Sequence, residues 1–156
     1  MDYISYIRSK VGHDKIILTF AGGILTNRDG EILLQLRGDK KNWAIPGGAM
    51  ELGESSVDTL KREFLEETGI EVEPVRFLNA YTNFEEVYPN GDRVQTVVFL
   101  YEVAAQKTVE IGDFHNEETL QLRFFTPAEI ATLDTVSAKH RLMLDEFLKD
   151  SFAMGH

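Results

Sequence analysis

Gly48-Ala49-Met50-Glu51-Leu52-Gly53-Glu54 and, after seven further residues, Arg62-Glu63-Phe64-Leu65-Glu66-Glu67-Thr68-Gly69-Ile70 form the stretch from which the rest of the chain is read. The spacing predicts a helix from about Ser56 to Thr68. Ser55 and Asp58 are placed for a capping box, and Gly69 is placed to end the helix in a left-handed turn. With Glu63 at zero and 100° per residue, Glu66 falls at about 300° and Glu67 at about 40°. Val57, Leu60 and Phe64 fall at about 120°, 60° and 100°, on the adjoining stripe that should face a core. The three acids therefore lie beside the buried face. Like charges three and four residues apart each oppose helix formation by a few tenths of a kcal/mol. Two readings fit this triplet alone. It is a solvated face moderated by Lys61 and Arg62, or it is a set of oxygen ligands for a hard divalent cation, which reverses the sign of the repulsion.

Outward from this helix the chain alternates strands and helices. Upstream, residues 2–10 have helical spacing, Ile16 to Thr26 reads as a strand interrupted by Gly22-Gly23, and Asn27-Arg28-Asp29-Gly30 as a hairpin turn into a returning strand from Glu31 to Arg37. The turn lacks the further alternating ligands of a calcium loop. Gly38 to Asn42 is a polar loop, followed by Trp43-Ala44-Ile45 and the breaker Pro46-Gly47-Gly48. Downstream, Val72 to Phe84 and Arg93 to Ala104 read as strands joined through Tyr88-Pro89-Asn90-Gly91-Asp92. Thr119 to Phe125 is a further strand, Pro127 opens a short helix, and a last helix runs from about Ser137 to Lys149. No linker, repeat or low-complexity tract divides the chain, so one domain over 1–156 is expected, with 1–12 as an N-terminal extension. Several strands and a few separated helices point to an α+β or mixed α/β sandwich.

The 156 residues include no Cys, which excludes disulfides, thiol nucleophiles and thiolate metal sites. A net charge of −10 argues against general binding to DNA or anionic membranes, since phosphate backbones are held by Lys and Arg. No run approaches the ~18 apolar residues of a membrane span, and the N-terminal residues lack a signal-peptide core, so a cytoplasmic location is expected.

Taken together, Gly48, Glu54, Arg62, Glu63, Phe64, Glu66, Glu67, Gly69 and Ile70 resemble, position for position, the twenty-three-residue signature of the Nudix hydrolases over residues 48–70. Trp43-Ala44-Ile45-Pro46-Gly47 is similar to that family's run into the box. Phe64 is larger than the usual Ile, Leu or Val. The resemblance implies an α/β/α sandwich with a mixed central β-sheet. It also implies hydrolysis of a pyrophosphate bond in a nucleoside diphosphate linked to another moiety, by water attack on phosphorus with one to three Mg²⁺ or Mn²⁺. By the same resemblance Glu63 and Glu67 are metal ligands, with Glu66 as a third and Glu54 ligating directly or through water. A backbone carbonyl of Gly47 or Gly48 completes a shell, and Arg62 orients a glutamate. The general base is a box glutamate or an acid from a separate loop. Outside the box the candidates are Glu117 and Glu118, of which Glu118 is preferred.

The substrate pocket is expected outside the box. Arg37 and Lys40 or Lys41 are candidates to reach phosphates. Trp43, Tyr81, Phe84 and Tyr88 offer stacking surfaces, although aromatics in strands more often serve a core. Tyr88 lies eighteen residues beyond Ile70, near a Tyr of diadenosine-polyphosphate-cleaving members, whereas Pro74 and Pro89 do not match the placement in many ADP-ribose enzymes. Nucleotide sugars such as ADP-ribose, nucleoside triphosphates and dinucleoside polyphosphates remain as substrate classes, and hydrolysis of the 5′ end of RNA is a further possibility that the chain's acidity disfavours. Binding without cleavage, as a sensing module, is the competing reading, and the intact box disfavours it. The partner is a small-molecule nucleotide, and the chain is a monomer or homodimer, with Tyr3, Tyr6 and Ile7 as either a cap on the sandwich or a dimer contact.

Overall fold

The computed structural model describes residues 2–156; Met1, the first residue of the expected extension, lies outside them. The elements in chain order are α1 (Tyr3–Val11), β1 (Ile16–Leu25), β2 (Ile32–Arg37), β3 (Trp43–Ala44), β4 (Gly47–Ala49), α2 (Ser56–Thr68), β5 (Val72–Val87), β6 (Arg93–Ala105), β7 (Thr119–Phe125), α3 (Pro127–Thr132) and α4 (Ala138–Lys149). A four-stranded mixed sheet has the order β4-β1-β6-β5, with β1 and β6 parallel and the other pairs antiparallel. A three-stranded antiparallel sheet has the order β3-β2-β7. This is the α+β sandwich that the resemblance implies.

Strand alternation divides the apolar residues between two cores. Ile24, Ile32, Leu34, Tyr81, Leu100 and Phe125 pack with Ile130 of α3 and with Met143 and Leu144 of α4. Leu25, Leu33, Val103 and Leu122 pack with Leu60 and Phe64 of α2. Successive residues of β2 thus point to opposite cores, as a period of two requires. A strand buried on both faces reads as the continuous apolar run Ile-Leu-Leu.

The structure departs from three of the sequence expectations. β1 and β2 do not form a hairpin ladder, for a single bridge, Thr26↔Ile32, joins them before β2 enters the other sheet. The Asn27–Gly30 turn forms, with Gly30 at φ +75, but it serves as a crossing between sheets. The supposed breaker at Gly47-Gly48 is in fact strand β4, and Trp43-Ala44 is strand β3. β4 pairs Gly47 with Gly22 and Gly48 with Ala21. A side chain on Gly47 would run into the Ala21 carbonyl, so the glycine permits backbone approach where the local signal suggests a break. β1 also continues through Gly22-Gly23 without interruption.

Other features agree with the local chemistry. Ser55 and Asp58 form the capping box of α2, and Gly69 ends it at φ +73. Tyr88–Asp92 closes the β5–β6 hairpin through Tyr88 N–H to the Asp92 carbonyl and Gly91 N–H to the Tyr88 carbonyl. No residue of α1 is buried, and Tyr6 is 46% exposed. Polar links hold α1 instead: Tyr3 N–H donates to Glu51, and Arg8 donates to the Arg93 carbonyl. Among the described residues no helix is long and apolar enough to cross a membrane.

Candidate functional site

Helix α2 turns its Leu60 and Phe64 into a core and carries Glu67 inward with them, leaving Glu67 only 4% exposed. Glu63 sits one turn earlier, half-buried at the edge of the same face. Glu118, one residue before β7, approaches from the opposite side. One carboxylate oxygen from each of Glu63, Glu67 and Glu118 lies within 4.8 Å of the others. Glu66, although in the same box, projects outward with a side chain 52% exposed, and its contact is with Arg62 at 3.5 Å.

Burial without a full complement of donors raises the Glu67 pKa to about 8, against the lowering effects of Gly47 N–H and Arg37 and with a further rise from Glu63. Gly47 N–H donates to Glu67 Oε2 at 3.1 Å, and Gln35 Nε2 donates to the same oxygen at 2.6 Å. Burial also raises Glu63, with Arg62 opposing and Glu66 and Glu118 adding to the rise. Three carboxylates crowded in a partly dry space are short of positive charge. A small divalent cation with a preference for oxygen would supply it, and the donor set, all oxygen and free of sulfur, fits Mg²⁺ or Mn²⁺.

Arg62 acts on the neighbouring acids. Its Nε and Nη2 hold Glu54 in a two-pronged pair at 2.7 and 2.9 Å, Nη1 reaches Glu63 at 2.8 Å, and Nη2 also donates to the Ala49 carbonyl at 3.0 Å. This brings β4, the loop before α2 and the helix into one charged knot. The Arg62 hydrogen bonds depress Glu54 to about 2, despite its burial. Glu54 also accepts from Glu51 N–H and Thr59 Oγ1, so its oxygens are occupied within the protein. At Gly48 an added Cβ would fall onto the Glu63 carboxyl group, so the strand and the helical acid meet only because that residue has no side chain.

Arg37, Lys40 and Tyr88 lie in a second cluster, whereas Tyr81 is buried and donates to Glu146. Arg37 forms a two-pronged pair with Asp39 at 3.0 Å and exerts an electrostatic pull on Glu67. Tyr88 donates to Glu86 at 2.8 Å, and Lys40 Nζ stands 4.9 Å from its ring centroid. Trp43 packs edge-on to Phe125 at 4.8 Å, against the α4-side core.

Four residues of these surroundings were not singled out from the sequence. Lys139, only 8% exposed, donates to Glu86 at 2.9 Å and 5.7 Å from its Nζ is the Phe20 ring centroid. Gln35 and Thr119, both fully buried, lie behind Glu67; Thr119 Oγ1 is 2.7 Å from Gln35 Oε1 and 2.9 Å from the Glu67 carbonyl, able to donate to either. Asn116 spans the loop before β7 and the end of α2. A Gln inside the apolar run Ile32-Leu33-Leu34-Gln35-Leu36 is the one local signal among these, since a polar residue in a strand buried on both faces needs a specific partner.

The sequence model of the NUDIX domain matches residues 19–147. The chain is 39% identical over 61 residues to a MutT-like protein of Streptomyces ambofaciens, a match covering 39% of this chain and 40% of that protein. It is 39% identical over 82 residues to an 8-oxo-dGTP diphosphatase of Haemophilus influenzae, covering 49% and 57%. The matched segments thus span about half the length of these relatives or less. A crystal structure of a MutT protein from Methanosarcina mazei superposes with a TM-score of 0.70 at 24% identity, over 88% of this chain and 96% of that one.

Proposed function

Because the chain belongs to the NUDIX family, we propose that it hydrolyses a pyrophosphate bond in a nucleoside diphosphate derivative with the help of Mg²⁺ or Mn²⁺. The observation that carries this reading is the convergence of Glu63, Glu67 and Glu118 on one small volume. Glu63 and Glu67 would hold a divalent cation there, which would neutralise the diphosphate and lower the pKa of a coordinated water. Glu118, exposed beside them, would either complete its shell or take a proton from the attacking water. Arg62 keeps Glu54 and Glu63 in place, and Glu66 lies outside the converging oxygens, within reach of further ions.

Arg37, whose charge already acts on Glu67, is the cation placed to meet a further phosphate of a substrate beside this volume. Tyr88 offers a flat surface for a base beside Lys40, whereas Trp43 is engaged with Phe125. The substrate is a small nucleotide. Its class is decided by phosphate or nucleoside-monophosphate release, with Mg²⁺, from nucleoside triphosphates (8-oxo-dGTP among them), ADP-ribose and other nucleotide sugars, diadenosine polyphosphates and 5′-triphosphorylated RNA. Turnover of one small-molecule class well above the RNA is the expected result. Binding of a nucleotide with no hydrolysis across the panel would leave a sensing module in its place.

A further inference from the structure

We propose that Asn116 is a positioning residue that holds Glu118 over the Glu63–Glu67 pair by fastening the loop before β7 to the C-terminal end of α2. The inference rests on the reading of Glu118 as part of the ion site.

The last carbonyls of a helix have no partners within it. In α2 the Leu65 carbonyl accepts from Gly69 N–H, while those of Glu66 and Glu67 are met from the far side of the site. Asn116 Nδ2 donates to the Glu66 carbonyl at 2.9 Å, across 50 residues of sequence. Thr119 Oγ1 lies within reach of the Glu67 carbonyl. At its other end, Asn116 Oδ1 accepts from Glu118 N–H at 2.9 Å and from Thr119 N–H at 2.8 Å. Its backbone N–H donates to the Thr119 carbonyl at 2.9 Å.

A local turn stabilised by an Asn side chain needs only the Oδ1 contacts. The Nδ2 contact ties that turn to the same helical segment that presents Glu63 and Glu67. Asn116 therefore connects the backbone of Glu118 directly to α2. The loop is pinned from the other direction by Gly38 N–H to the Glu118 carbonyl at 2.9 Å, where a side chain on Gly38 would collide with the Glu117 carbonyl. With its backbone fixed on both sides, Glu118 has only its own side-chain rotamers to order when an ion binds. Loss of the Asn116 link releases one side and makes the third carboxylate a mobile group.

The test is Mn²⁺ binding to the full chain, followed by electron paramagnetic resonance of free Mn²⁺, with Asn116→Ala, Glu118→Gln and the double variant. Asn116→Ala is expected to weaken Mn²⁺ by about 10-fold, the lower end for disturbing a ligand's support. Glu118→Gln is expected to weaken it at least as much. The double variant is expected to be no weaker than Glu118→Gln alone, because Asn116 acts through Glu118. Additive losses, or wild-type affinity in Asn116→Ala beside a weakened Glu118→Gln, would overturn the positioning role while leaving the ion site intact. Wild-type affinity in Glu118→Gln would instead remove Glu118 from the site, and the proposal with it. If Asn116→Ala does not fold by circular dichroism, Asn116→Asp serves in the same cycle. It keeps both acceptor contacts and loses the donor to Glu66, and since its added charge favours the cation, it is compared with Asn116→Asp/Glu118→Gln: a loss of affinity on Glu118→Gln as large as in the wild-type background would contradict the proposal.

Discussion

Glu67→Gln is expected to reduce Mg²⁺-dependent turnover by at least about 100-fold, since even outer partners of metal ligands commonly account for 10–100-fold. The fold should survive. Glu67 Oε2 accepts from Gly47 N–H and Gln35 Nε2, and the amide oxygen of Gln can accept the same two donors. The substitution removes a buried charge next to Glu63 and leaves the volume of the site nearly unchanged. Lost turnover would therefore accompany an unchanged circular dichroism spectrum and a melting temperature, without metal at pH 8, no lower than wild type. Near-normal turnover would take Glu67 out of the catalytic set.

The second large effect is on stability and depends on pH. Glu67 has a folded pKa near 8, well above its ordinary value of 4.5, so between these values the folded state holds a proton that the unfolded state has lost. Stability of the metal-free protein then falls as pH rises through this range. Glu63, also raised by burial, acts in the same direction. His140, half-buried and lowered by desolvation to about 3, has the opposite slope, but only below its ordinary value of 6.5. The carboxylates held low by cations, such as Glu54, lose their contribution only in acid. The window from pH 6.5 to 8 therefore lies outside the ranges of His140 and Glu54, and the opposite slope of Lys139, lowered by burial, is common to wild type and Glu67→Gln. A span of about 1.5 pH units corresponds to roughly 2 kcal/mol, or a fall of about 4–8 °C in melting temperature for a chain of this size. Glu67→Gln should remove most of that slope. Mg²⁺ binds the ionised carboxylates and should stabilise most at the alkaline end, by about 2.7 kcal/mol at one hundred times its dissociation constant. Differential scanning fluorimetry over this window, with and without Mg²⁺, measures both. Equal slopes for wild type and Glu67→Gln would show that Glu67 ionises freely.

The part of this site that is legible in the sequence is the part carried by a single helix. One turn separates Glu63 from Glu67, and the apolar stripe through Leu60 and Phe64 indicates which acids lean towards the core. The same periodicity separates Glu66 only slightly from them, and whether it meets water or an ion depends on what packs opposite. Glu118 meets Glu63 across more than fifty residues, a distance that no local pattern spans. Asn116 reads as an ordinary loop residue because half of its work is a contact with a distant helix end. The strands show the same division. The β5–β6 hairpin follows from its Asn-Gly turn, whereas the apolar run of β2, buried on both faces, carries no alternation from which its partner could be read. Pro46-Gly47-Gly48 reads as a break by local chemistry and becomes a strand because close backbone approach at that sheet edge requires glycine.

Calorimetric titration of Mn²⁺ into the protein, in the presence of a non-hydrolysable nucleoside triphosphate analogue, tests most directly whether the converging carboxylates are a cation site. Saturable uptake of at least one ion by the wild type, weakened at least 10-fold in Glu67→Gln, is the expected result. No uptake, or equal uptake by the two proteins, would contradict it.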